Sequence, residues 1–325
     1  MNILINHTYK EDTTDSFLFE QWALLNSDWS VMSRKNGNIK FSEGYLGVLK
    51  NLLRIILRKP QKIYLTTTPF HNVLLLILIK LFKPRVEITY HVHDLYPDFF
   101  KYTEGYKVFY YVLALPFKWA IKQVRIIAIS EEIENNLIAS YGCEKKNILL
   151  IENFANVAIR NMEDVSFESR LLYLGNIGFA HDTSIATELK ELPYTTVFKL
   201  SGIKKYHKRQ NENLNRILNS EFEIIKERLS IEALENLVDT SFASVVFLGQ
   251  HYDKVLFPCK IYSSLARLVP IVFCGPESSY VCRWIESNQF GVHIHRFELL
   301  VQNRQSYIKS INTFNQINRI KSLKL

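Results

Sequence analysis

The chain is 325 residues long, 47% hydrophobic and 13% aromatic, with 11 glycines, 9 prolines and a formal net charge of +8. This excludes a disordered or low-complexity chain and supplies enough apolar material for two domains of ordinary size. The charge is uneven: Lys50 to Arg125 carries 13 Lys/Arg against 4 Asp/Glu, and the stretch from Leu299 onward has five basic residues and no acid. Such asymmetry suggests an anionic partner, a phosphate or a membrane surface, while no recognition motif for nucleic acid is present.

In chain order, MNILINHTYKED lacks a basic region followed by an apolar one, so no signal peptide is expected. Strands are expected at 2–6, 62–68, 86–94, 124–130 and 147–153, with helices around 14–26, 43–58, 71–82, 105–122 and 130–141. The run VLLLILIKLF (73–82) is too short to span a bilayer and contains Lys80, so it reads as a buried helix. GYKVFYYVLALPFKWAIKQ (105–123) mixes aromatics with Lys107, Lys118 and Lys122; one face can pack on a sheet while the other meets an anionic membrane. SEEIENNLIASYG (130–142) has an N-cap serine, acids in its first turn and a terminal glycine. Apolar strands alternating with helices argue for a parallel sheet covered on both faces.

The pattern breaks at ANVAIRNMEDVSFESR (155–170), where a linker is expected. A second series follows, with strands at 170–178, 194–202, 222–228, 243–250, 270–275 and 291–295 and helices at 182–191, 230–240, 258–267, 277–288 and 302–322. The fold class expected is α/β, with two doubly wound Rossmann-like domains and a ligand cleft between them. Residues 1–158 form the first domain, 165–300 the second, and 301–325 a terminal helix that can pack back on the first.

Three features carry possible chemistry. LLYLGNIG (171–178) ends a strand on Gly175-Asn176-Ile177-Gly178, read either as an ordinary turn or as amides brought close to an anion at the start of a helix. FPCKIYSSLARLVPIV (257–272) reads as a short helix starting near Pro258 with Lys260 in its first turn. A cation there opposes the helix dipole by about 0.3–1 kcal/mol, a penalty that becomes a gain once a phosphate docks. HVH (91–93) and HIH (293–295) each place two histidines on one strand face; with no third ligand evident for either pair, no metal is expected. The four cysteines, Cys143, Cys259, Cys274 and Cys282, form no C-x-x-C pair and fit reduced thiols of a cytosolic protein.

TTTPFHNVLLLILIKLFKPRVEITYHVHDLYPD (66–98), IIAISEEIENNLIASYG (126–142), ILLIENF (148–154), LLYLGNIG (171–178) and FPCKIYSSLARLVPIV (257–272) together carry a family resemblance. From about residue 60 to 295 the chain resembles the bacterial members of glycosyltransferase family 4, GT-B enzymes of cell-surface polysaccharide synthesis. The resemblance implies a nucleotide-diphosphate sugar held mainly by the second domain. Gly175, Asn176 and Gly178 match the glycine loop near the diphosphate. Lys260 matches the lysine of a Pro-Ser-Lys-x-Tyr-Ser pattern that includes Tyr262 and Ser263, with Cys259 in place of the serine. Arg228 falls near the nucleobase, and His93 and Asp94 match the motif facing the sugar and acceptor.

The chain departs from the family at several points. Val255 and Ser263 stand where many relatives have two glutamates, Leu268 replaces a usual glycine, and the Arg and Lys that follow the glycine loop are missing, with Asn176 and His181 nearby. No glycine-rich acceptor loop is visible in HTYKEDTTDSF (7–17). The function implied is retaining transfer of a sugar to a lipid-diphosphate-linked saccharide, by a protein peripheral to the inner face of the plasma membrane. Lys260 would stabilise the leaving diphosphate, and no permanently bound cofactor is expected. Two other readings are a catalytically weak homologue acting as a binding partner in polysaccharide assembly, and a sugar-nucleotide epimerase of the same architecture.

Overall fold

The structure, a computed structural model, describes residues 2–5, 29–33, 39–40, 44–67, 70–152, 158–200 and 208–322. The helix expected at 14–26, the segment 7–17 and the start of the 155–170 linker lie outside the described residues. Two compact units divide the chain: Met1–Asn156 with Lys254–Phe257, and Val157–Asp253 with Pro258–Leu325.

The first unit is a parallel sheet of β1 (Asn2–Ile5), β2 (Trp29–Ser33), β3 (Ile39–Lys40), β4 (Lys62–Thr66), β5 (Glu87–Val92), β6 (Arg125–Ala128) and β7 (Ile148–Leu150). Their order is β3-β2-β1-β4-β5-β6-β7, with every pairing parallel. Helices α1 (Gly44–Arg58), α2 (His71–Phe82), α3 (Asp98–Tyr102), α4 (Lys107–Ile121) and α5 (Glu131–Tyr141) accompany it. Ile3, Leu4 and Ile5 are fully buried, as consecutive residues of a doubly covered strand must be. The short β2 and β3 had no counterpart in the sequence reading. Lys80 keeps its place in apolar α2 because its ammonium donates to the carbonyls of Pro84 and Val86, each at 3.1 Å. At α5, Ser130 caps the Ile133 amide and Gly142 (φ 66°) closes the helix in the left-handed conformation.

The second unit contains β8 (Arg170–Gly175), β9 (Thr195–Leu200), β10 (Glu223–Ile225), β11 (Ala243–Phe247), β12 (Ile271–Cys274) and β13 (Gly291–His293). Their order, β10-β9-β8-β11-β12-β13, reverses direction between β8 and β11, and all pairings are parallel. Its helices are α6 (Lys208–Leu218), α7 (Ile231–Asp239), α8 (Lys260–Ala266), α9 (Tyr280–Ser287) and α10 (Phe297–Ser322). The core centres on Tyr173, Phe198 and Phe247, whose rings lie 5.4–6.1 Å apart. The helix expected at 182–191 is a 3-10 helix, Ser184–Glu191. No helix was expected at α6, where KRQNENLNRIL buries only a thin apolar edge that includes Leu214 and Ile217. α10 begins earlier than expected, bends at Asn303, and contacts α8 and β13. Among the described residues no helix is long and apolar enough to cross a membrane.

Candidate active site

In an open doubly wound sheet, ligands bind beyond the carboxyl ends of strands where the order reverses. In the second unit that point lies between β8 and β11, and Gly175 and Lys260 meet there. Gly175 ends β8, and α8 lies between β11 and β12 in the chain. α8 is held on several sides: the Ser264 hydroxyl donates to Ser244 Oγ (2.8 Å), Asn315 donates to the Leu265 carbonyl (2.8 Å), and Arg267 pairs with Asp239.

Lys260 Nζ donates to the Tyr173 hydroxyl (3.0 Å) and stands 4.1 Å from the centroid of that ring. A Cβ built on Gly175 would lie 3.4 Å from the same nitrogen. Tyr173 in turn donates its hydroxyl to the Asn176 carbonyl (2.6 Å), fixing the turn against the lysine. Burial raises the Tyr173 pKa, so the phenol stays protonated and accepts from the ammonium. Among the described residues no carboxylate pairs with Lys260. Desolvation pulls its pKa down to about 7. A desolvated cation bonded to a neutral phenol is arranged for an anion that arrives from outside.

Gly175 has φ 128°, in the range that side chains rarely adopt. Gly175→Ala is expected to cost about 1–3 kcal/mol from this backbone conformation, read as a lower denaturation midpoint.

Three of the amides expected to assist Lys260, those of Gly178, Ile261 and Tyr262, are already engaged. α8 begins at Lys260 with Cys259 as N-cap, so Pro258 precedes the cap. The Ile261 and Tyr262 amides donate to the carbonyls of Pro258 and Cys259, each at 3.1 Å. The glycine turn leads into irregular chain rather than an α-helix, and Gly178 N–H donates to His181 Nδ1 (2.9 Å). Burial first, then the nearby Lys260 charge, pull the His181 pKa down to about 3, which keeps this ring a neutral acceptor. In the ligand-free chain these three amides therefore add nothing to the charge that the ammonium supplies.

The other sequence candidates have varied surroundings. Asn176 is exposed at the turn, and Arg228 is exposed beyond the end of β10, two strands from β8. Ser263 is half-buried one turn along α8 from Lys260. Tyr262 is buried, its ring packed on Trp284 at 5.8 Å. Tyr173 was missed because an apolar strand position gives no sign that a phenol will touch a lysine 87 residues away.

Leu268 has φ 59° and is fully buried. The Val269 amide bonds the Ser264 carbonyl and the Leu268 amide the Leu265 carbonyl, each at 3.0 Å. This is a Schellman closure, with leucine in the left-handed position that glycine usually fills. The usual glycine is thus a backbone requirement of the helix end, and the burial of the leucine side chain offsets its strain.

In the first unit, His93 is buried beyond β5, 4.0 Å ring to ring from His91. The His93 and Asp94 amides both donate to Thr67 Oγ1, at 3.0 and 3.3 Å, which shapes the turn. Asp94 is half-buried and bridges Leu256, and the Leu95 amide donates to the Val255 carbonyl (2.6 Å). Asp98, absent from the sequence candidates, accepts from the Tyr141 hydroxyl. Its burial raises its pKa to about 6.

Neither a protein-family model nor a curated protein matches the chain in sequence. Solved structures match its fold. A glycosyltransferase from Rickettsia africae superposes with a TM-score of 0.58 at 11% identity, over 96% of this chain and 93% of that one. The fold is of the GT-B class. A UDP-GlcNAc 2-epimerase from Methanocaldococcus jannaschii, solved with UDP-GlcNAc and UDP, gives 0.56 at 13% identity over 98% and 100% of the two chains. The lipopolysaccharide outer core galactosyltransferase WaaB gives 0.53 at 11% over 97% and 100%. At these identities the GT-B likeness concerns architecture alone.

Proposed function

We propose that the chain is a glycosyltransferase that moves a sugar, with retention, from a nucleotide-diphosphate sugar to a lipid-diphosphate-linked saccharide. The observation that carries this reading is the Lys260 ammonium beside the Gly175 turn, at the switch point of the second sheet, with no carboxylate paired to it among the described residues. As the donor bond breaks, negative charge grows on the departing diphosphate. Lys260 stabilises it, and a leaving-group oxygen takes the acceptor proton. Nucleotide sugars bind through contacts that include Asn176, Arg228 and Ser263, and His93 and Asp94 serve the sugar and acceptor. Calorimetry with a panel of nucleotide sugars, followed by mass spectrometry with a lipid-linked acceptor, tests the reading; a folded chain that binds no donor would sink it.

A lipid-linked acceptor calls for contact with a membrane, and the first unit offers a suitable surface. α1 and α4 flank α2. α1 exposes Leu46, Leu49, Leu53 and Leu57 along one side, and α4 exposes Val108, Tyr111, Val112 and Leu115. Exposed Lys50, Arg58, Lys59, Lys107 and Lys122 accompany them, each worth about 1 kcal/mol near an anionic surface. The chain is expected to co-sediment with phosphatidylglycerol vesicles. The double variant Leu53→Glu/Leu115→Glu should stay in the supernatant with an unchanged melting temperature.

The epimerase likeness supports a second reading, interconversion of a nucleotide sugar at the same anion site. Conversion of donor with no acceptor present, followed by product analysis, distinguishes it.

A further inference from the structure

The pair of histidines at the end of β13 has a third neighbour that the sequence reading did not supply. Glu277, in the turn after β12, meets His293 and His295, and one ligand atom from each lies within 4.8 Å of the others. Glu277 Oε1 is 3.0 Å from His295 Nδ1 and 3.8 Å from His293 Nδ1. Ligand atoms around a tetrahedral ion at bond lengths of about 2.0–2.2 Å lie roughly 3.3–3.6 Å apart, so the cluster needs only small adjustment to hold one.

The far side of every ligand is anchored. His293, 1% exposed, places Nε2 2.8 Å from the Gly275 carbonyl. His295 places Nε2 3.1 Å from Glu188 Oε2. Glu277 Oε2 accepts from Arg296 Nη1 (2.8 Å). These are the outer partners that orient metal-binding imidazoles and carboxylates. Two bonds join the near atoms, from the His295 amide to His293 Nδ1 (3.3 Å) and between His295 Nδ1 and Glu277 Oε1 (3.0 Å), and an ion that binds replaces both.

We propose that Glu277, His293 and His295 bind one divalent ion of the zinc type through a carboxylate oxygen and two imidazole nitrogens. The partial exposure of Glu277 and His295 leaves a fourth position open to water. The ion ties the turn after β12 to the end of β13. The expected absence of a metal rested on the want of a third ligand, and Glu277 fills that want across 16 residues of sequence.

The test uses the full chain without nucleotide, so its outcome is separate from that of the Lys260 reading. Titration with zinc chloride is expected to show one equivalent bound, and cobalt(II) to give the visible absorption of a tetrahedral site. Glu188→Gln, at an outer partner, should weaken zinc binding by about 10–100-fold. Loss of a direct ligand in His295→Ala or Glu277→Gln should weaken it at least as much, while His251→Ala leaves it unchanged. A folded chain that takes up no zinc at millimolar concentration overturns the site; so does uptake that survives both ligand variants. The first result would leave the three side chains as a hydrogen-bonded cluster only, and the second would place the zinc elsewhere on the chain.

Discussion

Lys260→Met is expected to lower sugar transfer by about 10²–10³-fold, the usual effect of removing one pre-organised charge donor to a leaving group. Methionine keeps an apolar stem against the Tyr173 ring and removes only the ammonium. The melting temperature should hold or rise, because the substitution relieves a desolvated cation that has no carboxylate partner among the described residues. Loss of activity without loss of stability separates a group kept for its ligand from one kept for packing. The measurements are initial rates with a lipid-linked acceptor and thermal denaturation of the same samples. Unchanged turnover would remove Lys260 from the reaction.

Diphosphate affinity is expected to fall as pH rises from neutrality. With a pKa of about 7, Lys260 is half protonated at pH 7 in the free chain and about 1% protonated at pH 9. If the bound anion needs the ammonium, its deprotonation by itself should raise the dissociation constant of UDP roughly 50-fold between those values. Binding near pH 8 should also take up close to one proton, read by calorimetry in buffers of different ionisation enthalpy. Lys260→Arg should flatten the profile, because guanidinium stays charged throughout. A flat wild-type profile would show that the ammonium does not meet the anion. Folding stability has the opposite slope. The folded-state pKa lies below the ordinary 10.5, so the folded chain binds fewer protons than the unfolded chain between about pH 7 and 10.5. Stability therefore rises with pH across that window and falls again on return to neutrality.

The doubly wound pattern was legible because its signals are local. Ile3 to Ile5, the apolar face of α2 and the Ser130 and Gly142 caps each declare themselves within a few residues, through burial and backbone hydrogen bonding. β2 escaped because it is short and α6 because its apolar content is thin, and pairing within the sheet or packing against it decides their conformation. The site divides along the same line. Residue type and a helix start singled out Lys260, and the two glycines marked a turn. The His181 ring and the carbonyls of Pro258 and Cys259 then accepted from amides that the linear motif left open for phosphate, at Gly178, Ile261 and Tyr262.

The sequence by itself determined two α/β units, the strand-to-turn position of Gly175 and the presence of a lysine at the start of a short helix, because each follows from contacts within one element. Only the tertiary structure decided that Tyr173 would meet Lys260, that Leu268 would occupy a left-handed helix end, and that Glu277 would join two histidines. The meetings of Tyr173 with Lys260 and of Glu277 with the histidines depend on strand order, which brings residues far apart in the chain to neighbouring strand ends and sets how much water each charged group retains, whereas Leu268 closes a local turn whose strain its burial offsets.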